Sequence, residues 1–142
     1  MHSGSLEIAH YPDVARQIAQ RFDKVEQVAI TLRESISATH NNWGAMLFDV
    51  ASDAAAFAPM NGDSYQSYEI RNIVDRVGGG DSFAAGLIYA MTTPDFATPQ
   101  EQVDFAVAAS CLAHSVKGDF NYNSRDEVET LMRGNASGRV QR

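Results

Sequence analysis

Between Val74 and Gly86 the chain runs Val-Asp-Arg-Val-Gly-Gly-Gly-Asp-Ser-Phe-Ala-Ala-Gly. Gly78, Gly79 and Gly80 come after an extended run and precede an apolar helical stretch, so their backbone N–H groups are bare and approachable. A helix N-terminus adds its own unpaired N–H groups and a partial positive charge, which together suit an anion, phosphate foremost. Asp81 stands at that helix start, where the dipole favours its ionised form. A charged carboxylate beside a phosphate cradle is placed to take the proton of an attacking hydroxyl. Phosphoryl transfer otherwise needs mainly positioning and charge stabilisation. The same residues also make a capped structural turn, and spacing alone leaves both readings open. The segment has neither the Lys-Ser/Thr ending of a P-loop nor the spacing of a dinucleotide fingerprint. Gly86 costs its helix about 1 kcal/mol relative to alanine, which points to close packing against another backbone.

The elements that must position this segment can be read from periodicity. Pro12 to Phe22 is predicted to be a helix, with Pro12 in its first turn and Val14, Ile18 and Phe22 on one face. Val28 to Leu32, short and partly β-branched, is predicted to be a strand buried on both faces. Helix then buried strand is half of an α/β unit. Thr39 to Gly44 has the composition of a loop, with Trp43 packing over a hairpin. Ala45 to Val50 and Ala54 to Ala58 suggest strands, with turns at Ser52-Asp53 and Asn61 to Ser64. Tyr65 to Val74 suggests extended chain. From Asp81 the chain is helical: Asp81 to Met91, a helix opened by Thr98-Pro99-Gln100-Glu101, and a last one opened by Ser124 and Glu127 as a capping box.

At 142 residues, 44% hydrophobic and 20% charged, the chain is one domain's worth of polypeptide with enough apolar residues for a core. Its net charge of −7 argues against a nucleic-acid or anionic-membrane surface. The single cysteine, Cys111, excludes an internal disulfide framework and any multi-cysteine metal site, and it is expected to be a core thiol. No apolar run approaches the roughly 20 residues of a membrane span. With no secretory leader in view, the expected compartment is the cytoplasm. Residues 1–6 are expected to be a loose start and 134–142 a flexible tail, around one unit at 7–133.

The stretch Asp75 to Gly86 resembles the C-terminal signature of the ribokinase-like (pfkB) carbohydrate kinases, typically Asp-Thr-x-Gly-Ala-Gly-Asp-x-Phe-x-x-Gly. Its Arg76-Val77-Gly78-Gly79-Gly80 variant, with Ile30-Thr31-Leu32-Arg33-Glu34-Ser35 upstream and Lys117-Gly118-Asp119-Phe120-Asn121 downstream, is most similar to the 2-keto-3-deoxygluconate kinases. The resemblance implies an α/β fold: the C-terminal portion of a three-layer α/β/α domain, without its N-terminal half and lid. It implies an ATP-dependent sugar kinase using Mg²⁺ and a monovalent cation such as K⁺. Asp81 is then the catalytic base, and Gly78, Gly79 and Gly80 form the anion hole for the transferring phosphate. Asp75 helps bind the monovalent cation. Thr31 and Arg33 at a strand end, and the Ala106 to His114 helix, border the nucleotide, with Arg33 a candidate phosphate contact. His114 closes a helical face there, and Asn121 lies in a loop near cation and nucleotide.

Members of that family are about twice as long, and carry an upstream Asn-x-x-Glu motif that this sequence does not contain. Three expectations of different class arise: an active sugar kinase, a nucleotide-binding half without turnover, or a structural remnant with no ligand. A strand such as Val28 to Leu32 without a partner on one edge predicts an apolar seam that seeks a second copy or a separate N-terminal half.

Overall fold

The computed structural model describes residues 8–134. The loose stretches expected at either end lie outside the described residues, except that Gly134 closes the last helix. Helix α1 (Tyr11–Arg21) starts as expected, with Pro12 and Asp13 in its first turn. It buries a different face from the one periodicity suggests. Val14 and Phe22 are 42% and 56% exposed, whereas Ala15 is fully buried with Tyr11 and Ile18 packed beside it. The methyl of Ala15 lets the helix lie directly on the sheet, and the larger Tyr11 and Ile18 then close the contact on either side.

The strands after it are β1 (Gln27–Ser37), β2 (His40–Asp49), β3 (Ala54–Ala58), β4 (Met60–Asn61), β5 (Ser64–Tyr65) and β6 (Tyr68–Arg71). β2 is the centre of a four-stranded antiparallel sheet. β1 lies along one edge, while β3 and β6 share the other, opposite Ala45–Asp49 and His40–Trp43 respectively. β4 and β5 form a separate small hairpin whose turn, Gly62-Asp63, falls where the sequence signals one.

Two expectations are corrected here. The strand buried on both faces is β2, not Val28 to Leu32. Within β1 only Val28 and Leu32 are buried, and the strand pairs with β2 alone among the described residues. A short β-branched run signals a strand but not its depth; that is set by what packs on it. Second, His40 to Gly44 is strand rather than loop, because Trp43 pairs with Arg33 and Tyr68 in register. The polar Asn41-Asn42 pair disguises it.

β2 explains the layering. Trp43, Ala45 and Leu47 point to one face and Met46 and Phe48 to the other. Helix α1 covers the second face. Helices α2 (Gly79–Met91), α3 (Pro99–Ala113) and α4 (Arg125–Gly134) stand on the first. Burying a side chain such as Leu47 or Phe48 stabilises by roughly 1.5–3 kcal/mol, so this strand ties both layers into one core.

Both expected helix starts form. The Thr98 hydroxyl accepts the Glu101 N–H, and the Glu101 carboxylate accepts the Thr98 N–H at 3.1 Å. Glu127 likewise accepts the Ser124 N–H at 2.7 Å, while the Ser124 hydroxyl accepts the Glu127 N–H. Gly86 faces α3: a Cβ there would lie 3.2 Å from the Ala106 Cα, the close approach its helix-weakening glycine announces. Cys111 is fully buried in the core, and burial pushes its thiol up to about 12.

Candidate active site

The segment entering α2 is fastened from three sides before it reaches the glycines. The Ile73 N–H donates to the Thr39 carbonyl, and those of Val74 and Asp75 to the His114 carbonyl. The Asp75 carboxylate accepts the Val77 N–H with one oxygen and the Gly118 N–H with the other, each at 3.0 Å. These two N–H donors hold its carboxyl below the usual carboxylate range. Arg76 reaches back across the fold to the Ser37 and Ala38 carbonyls, at 2.6 and 2.9 Å.

Each glycine then has its own reason to lack a side chain. Gly78 is the N-cap of α2 with φ 77°, and a Cβ there would lie 3.0 Å from the Asp119 carbonyl oxygen. A Cβ on Gly79 would lie 3.1 Å from the His114 ring. Gly80 meets nothing within 4 Å, so its backbone is open to approach. No side chain caps the helix start. The Gly79 N–H donates to the Arg76 carbonyl at 3.3 Å, and the dipole with the other N–H groups of this first turn can serve an anion.

Asp81 is exposed one residue further on and lines a cleft of about 550 Å³ between α2, α3, α4 and the loop after α3. Asp119, Asn121 and Arg125 contribute polar groups to the same cleft, and Tyr89, Phe105 and Phe120 contribute aromatic wall. Arg125 is held on its rim by Asp95 at 2.7 Å and Glu129 at 3.3 Å, with its guanidinium 5.0 Å from the centre of the Phe96 ring.

The residues expected to border a nucleotide divide into three groups. Asn121 joins Asp81 in the cleft, where its amide donates to the Ala109 carbonyl and its oxygen accepts from Asn123. His114 is buried at 3% exposure and reaches the glycines from beneath. Its Nδ1 lies 2.7 Å from the Ser110 carbonyl oxygen, and its ring meets Trp43 edge-on at 5.0 Å. Trp43 donates in turn to the Ser110 hydroxyl at 2.8 Å. The Ala106 to His114 stretch is buried throughout, so only Ala109 of it faces the cleft. Thr31 and Arg33 are exposed on β1. Arg33 lines a second cavity of about 570 Å³, with Tyr11, Glu34, Asn42 and Tyr65, rather than the Asp81 cleft.

Burial lowers the His114 pKa, and the positive charges of Arg76 and Arg33 press the same way, against the Ser110 carbonyl that raises it. The folded protein thus binds the proton less readily than the unfolded chain. Stability from this group is complete above the unfolded value near 6.5 and declines as pH falls below it toward the lower folded value. Urea midpoints of the wild type should therefore fall more between about pH 8 and 5 than those of His114→Gln. Parallel profiles would contradict this.

Asp119 and Arg76 are the functional candidates that motif reading passes over. Asp119 lies within the Lys117 to Asn121 segment but shows its place only once Gly78 packs on it. Arg76 gives no local signal, because its partners are 38 and 39 residues away.

Residues 19–125 match the family model described as pfkB family carbohydrate kinase. No curated protein matches the chain in sequence. Among solved structures, the chain is similar to a 2-dehydro-3-deoxygluconokinase from Thermotoga maritima at 43% identity and a TM-score of 0.74, over 87% of this chain and 34% of that one. It is similar to a PfkB family carbohydrate kinase from Listeria grayi at 28% identity and a TM-score of 0.71, over 82% and 33%. An Enterococcus faecalis structure shares 19% identity at a TM-score of 0.69, over 94% and 35%, and speaks for the fold alone. The chain spans about a third of the length of each of these structures.

Proposed function

The chain belongs to the pfkB family of carbohydrate kinases, and on that premise we propose that it is the nucleotide-side part of an ATP-dependent kinase for 2-keto-3-deoxygluconate. The observation that carries this reading is the uncapped N-terminus of α2, where open Gly80 adjoins exposed Asp81 and Asp81 lines the cleft. Asp81 takes the proton of the sugar hydroxyl as that oxygen attacks the γ-phosphorus of ATP. The bond to the bridging oxygen breaks, and ADP leaves. The Gly78, Gly79 and Gly80 segment, with the helix dipole behind it, receives the charge on the transferring group's oxygens. Mg²⁺ supplies further charge neutralisation. When bound with the nucleotide, that ion would have Asp119 within the cleft to meet it. Asp75 keeps carboxylate lone pairs for a monovalent cation such as K⁺ beside the Gly118 loop.

The named substrate rests on the 43% identity to the Thermotoga enzyme, a kinase of this same sugar acid. Among the described residues no helix is long and apolar enough to cross a membrane. The buried lone thiol suits the reducing cytoplasm, where we place the protein.

A second reading is favoured by β1, an eleven-residue strand with an unpartnered edge among the described residues. Here the chain holds nucleotide but turns over sugar only with a second copy or with a separate N-terminal half adding a strand at that edge. Sugar-dependent ADP release by the purified chain, assayed with 2-keto-3-deoxygluconate, ATP, Mg²⁺ and K⁺, tests the first reading. Release supports it. Nucleotide binding without release favours the second, and neither binding nor release rejects both.

A further inference from the structure

We propose that Arg76 is a positioning residue, which holds the Gly78–Gly80 segment in phosphate-binding shape by latching it to the tip of the β1–β2 hairpin. The proposal rests on the functional reading above. Its first support is geometry: one guanidinium nitrogen donates to two consecutive carbonyls, Ser37 at 2.6 Å and Ala38 at 2.9 Å. Charge-assisted bonds of this length are the strong ones. Both carbonyls sit at the tight turn where β1 gives way to β2.

The second support is the hairpin's shape. The β1–β2 register shifts between Ser35 and Ser37, so Ile36 is an extra residue on β1. Such a bulge bends its strand and re-aims the residues after it, here the two whose carbonyls Arg76 takes. The Ile73 N–H bond to the Thr39 carbonyl fixes the same tip at a second point. Third, the backbone of Arg76 is itself part of the helix start, because its carbonyl accepts the Gly79 N–H at 3.3 Å. Residue 76 therefore joins two things at once: side chain to hairpin, main chain to the first turn of α2. Three glycines in succession are conformationally permissive, and the ordering they need must come from their flanks. Asp75 supplies it on the Gly118 side, and Arg76 on the hairpin side.

The test uses the whole chain as wild type, Arg76→Met and Arg76→Lys. Methionine keeps an apolar stem and removes charge and donors; lysine keeps a charge that reaches one carbonyl but not in Arg's planar fork. Hydrogen exchange at Gly79 and Ser82, whose N–H groups donate to the Arg76 and Gly78 carbonyls, should accelerate in Arg76→Met while exchange in α3 stays at the wild-type rate. Affinity for Mg·ADP should fall roughly tenfold, with adenosine binding unchanged, and Arg76→Lys should lie between. A general structural role would instead speed exchange everywhere and weaken both ligands alike. Wild-type exchange at Gly79 and Ser82 in Arg76→Met would overturn the latch, whatever the nucleotide does. If the wild type binds no Mg·ADP, the functional reading falls and takes the positioning role with it. Equal Mg·ADP affinity in wild type and Arg76→Met would overturn the positioning role alone.

Discussion

Alanine in place of Asp81 is expected to cut sugar-dependent ADP release by about 10²–10⁴-fold, the usual contribution of a positioned general base. Asp81 sits in the first turn of α2, exposed to the cleft, so its loss opens no cavity. Stability should stay within about 0.5 kcal/mol of wild type, as for most surface substitutions. Mg·ADP binding should hold or tighten, because a negative charge beside the phosphates is removed. Asp81→Asn should be as inactive as alanine, since the amide keeps the shape but cannot take the proton. The combination of lost turnover, kept fold and kept nucleotide affinity separates a base from a residue that merely shapes the site. Wild-type turnover in Asp81→Asn would contradict the assignment.

Valine at Gly78 is expected to damage both fold and site. The backbone there has φ 77°, which a β-branched residue scarcely adopts. Its Cβ would also press on the Asp119 backbone, with the carbonyl oxygen 3.0 Å and Cα 3.1 Å away. Strain and overpacking together should cost about 2–4 kcal/mol, read as a lower denaturant midpoint at unchanged slope. Mg·ADP-dependent stabilisation should vanish with it, since moving Gly78 moves the first N–H groups of α2. Gly80→Ala provides the contrast. Nothing lies within 4 Å of a Cβ there, so stability should hold or rise slightly while nucleotide affinity falls, because the methyl stands on the open approach. An unchanged midpoint in Gly78→Val would show that the helix start is not held as described.

What is legible in the sequence is local. The Thr98–Glu101 and Ser124–Glu127 boxes are read from residues three apart, and both form as expected. The three glycines and Asp81 likewise announce an open helix start, and the close packing signalled by Gly86 is met by Ala106. The ordered spacing of three segments is specific enough to carry the family. Features decided by contacts across the chain are not legible in this way. The exposed face of α1, the depth of β2 and the strand at Trp43 depend on which surfaces meet, and short apolar runs do not encode that. His114, expected to close a helical face near the nucleotide, lies under Gly79, buried against Trp43 and Ser110, a place that only the packing of the strand on the helix defines. Thr31 and Arg33, expected to border the nucleotide with Arg33 a candidate phosphate contact, are exposed on β1, where Arg33 opens on a second cavity. The Arg76 latch spans nearly forty residues, so its carbonyl partners cannot be read from the motif that contains Arg76.

The central claim is that the N-terminus of α2 is a phosphate site, and it can be tested whether or not the chain turns over sugar alone. Titrating Mg·ADP into ¹⁵N-labelled protein and tracking the backbone amides tests it most directly. The account predicts the largest shifts at Gly78, Gly79, Gly80 and Asp81, smaller ones around Asp119 to Asn121, and their loss in Gly78→Val. Saturable binding that leaves those four amides unmoved, or no binding at all, would contradict it.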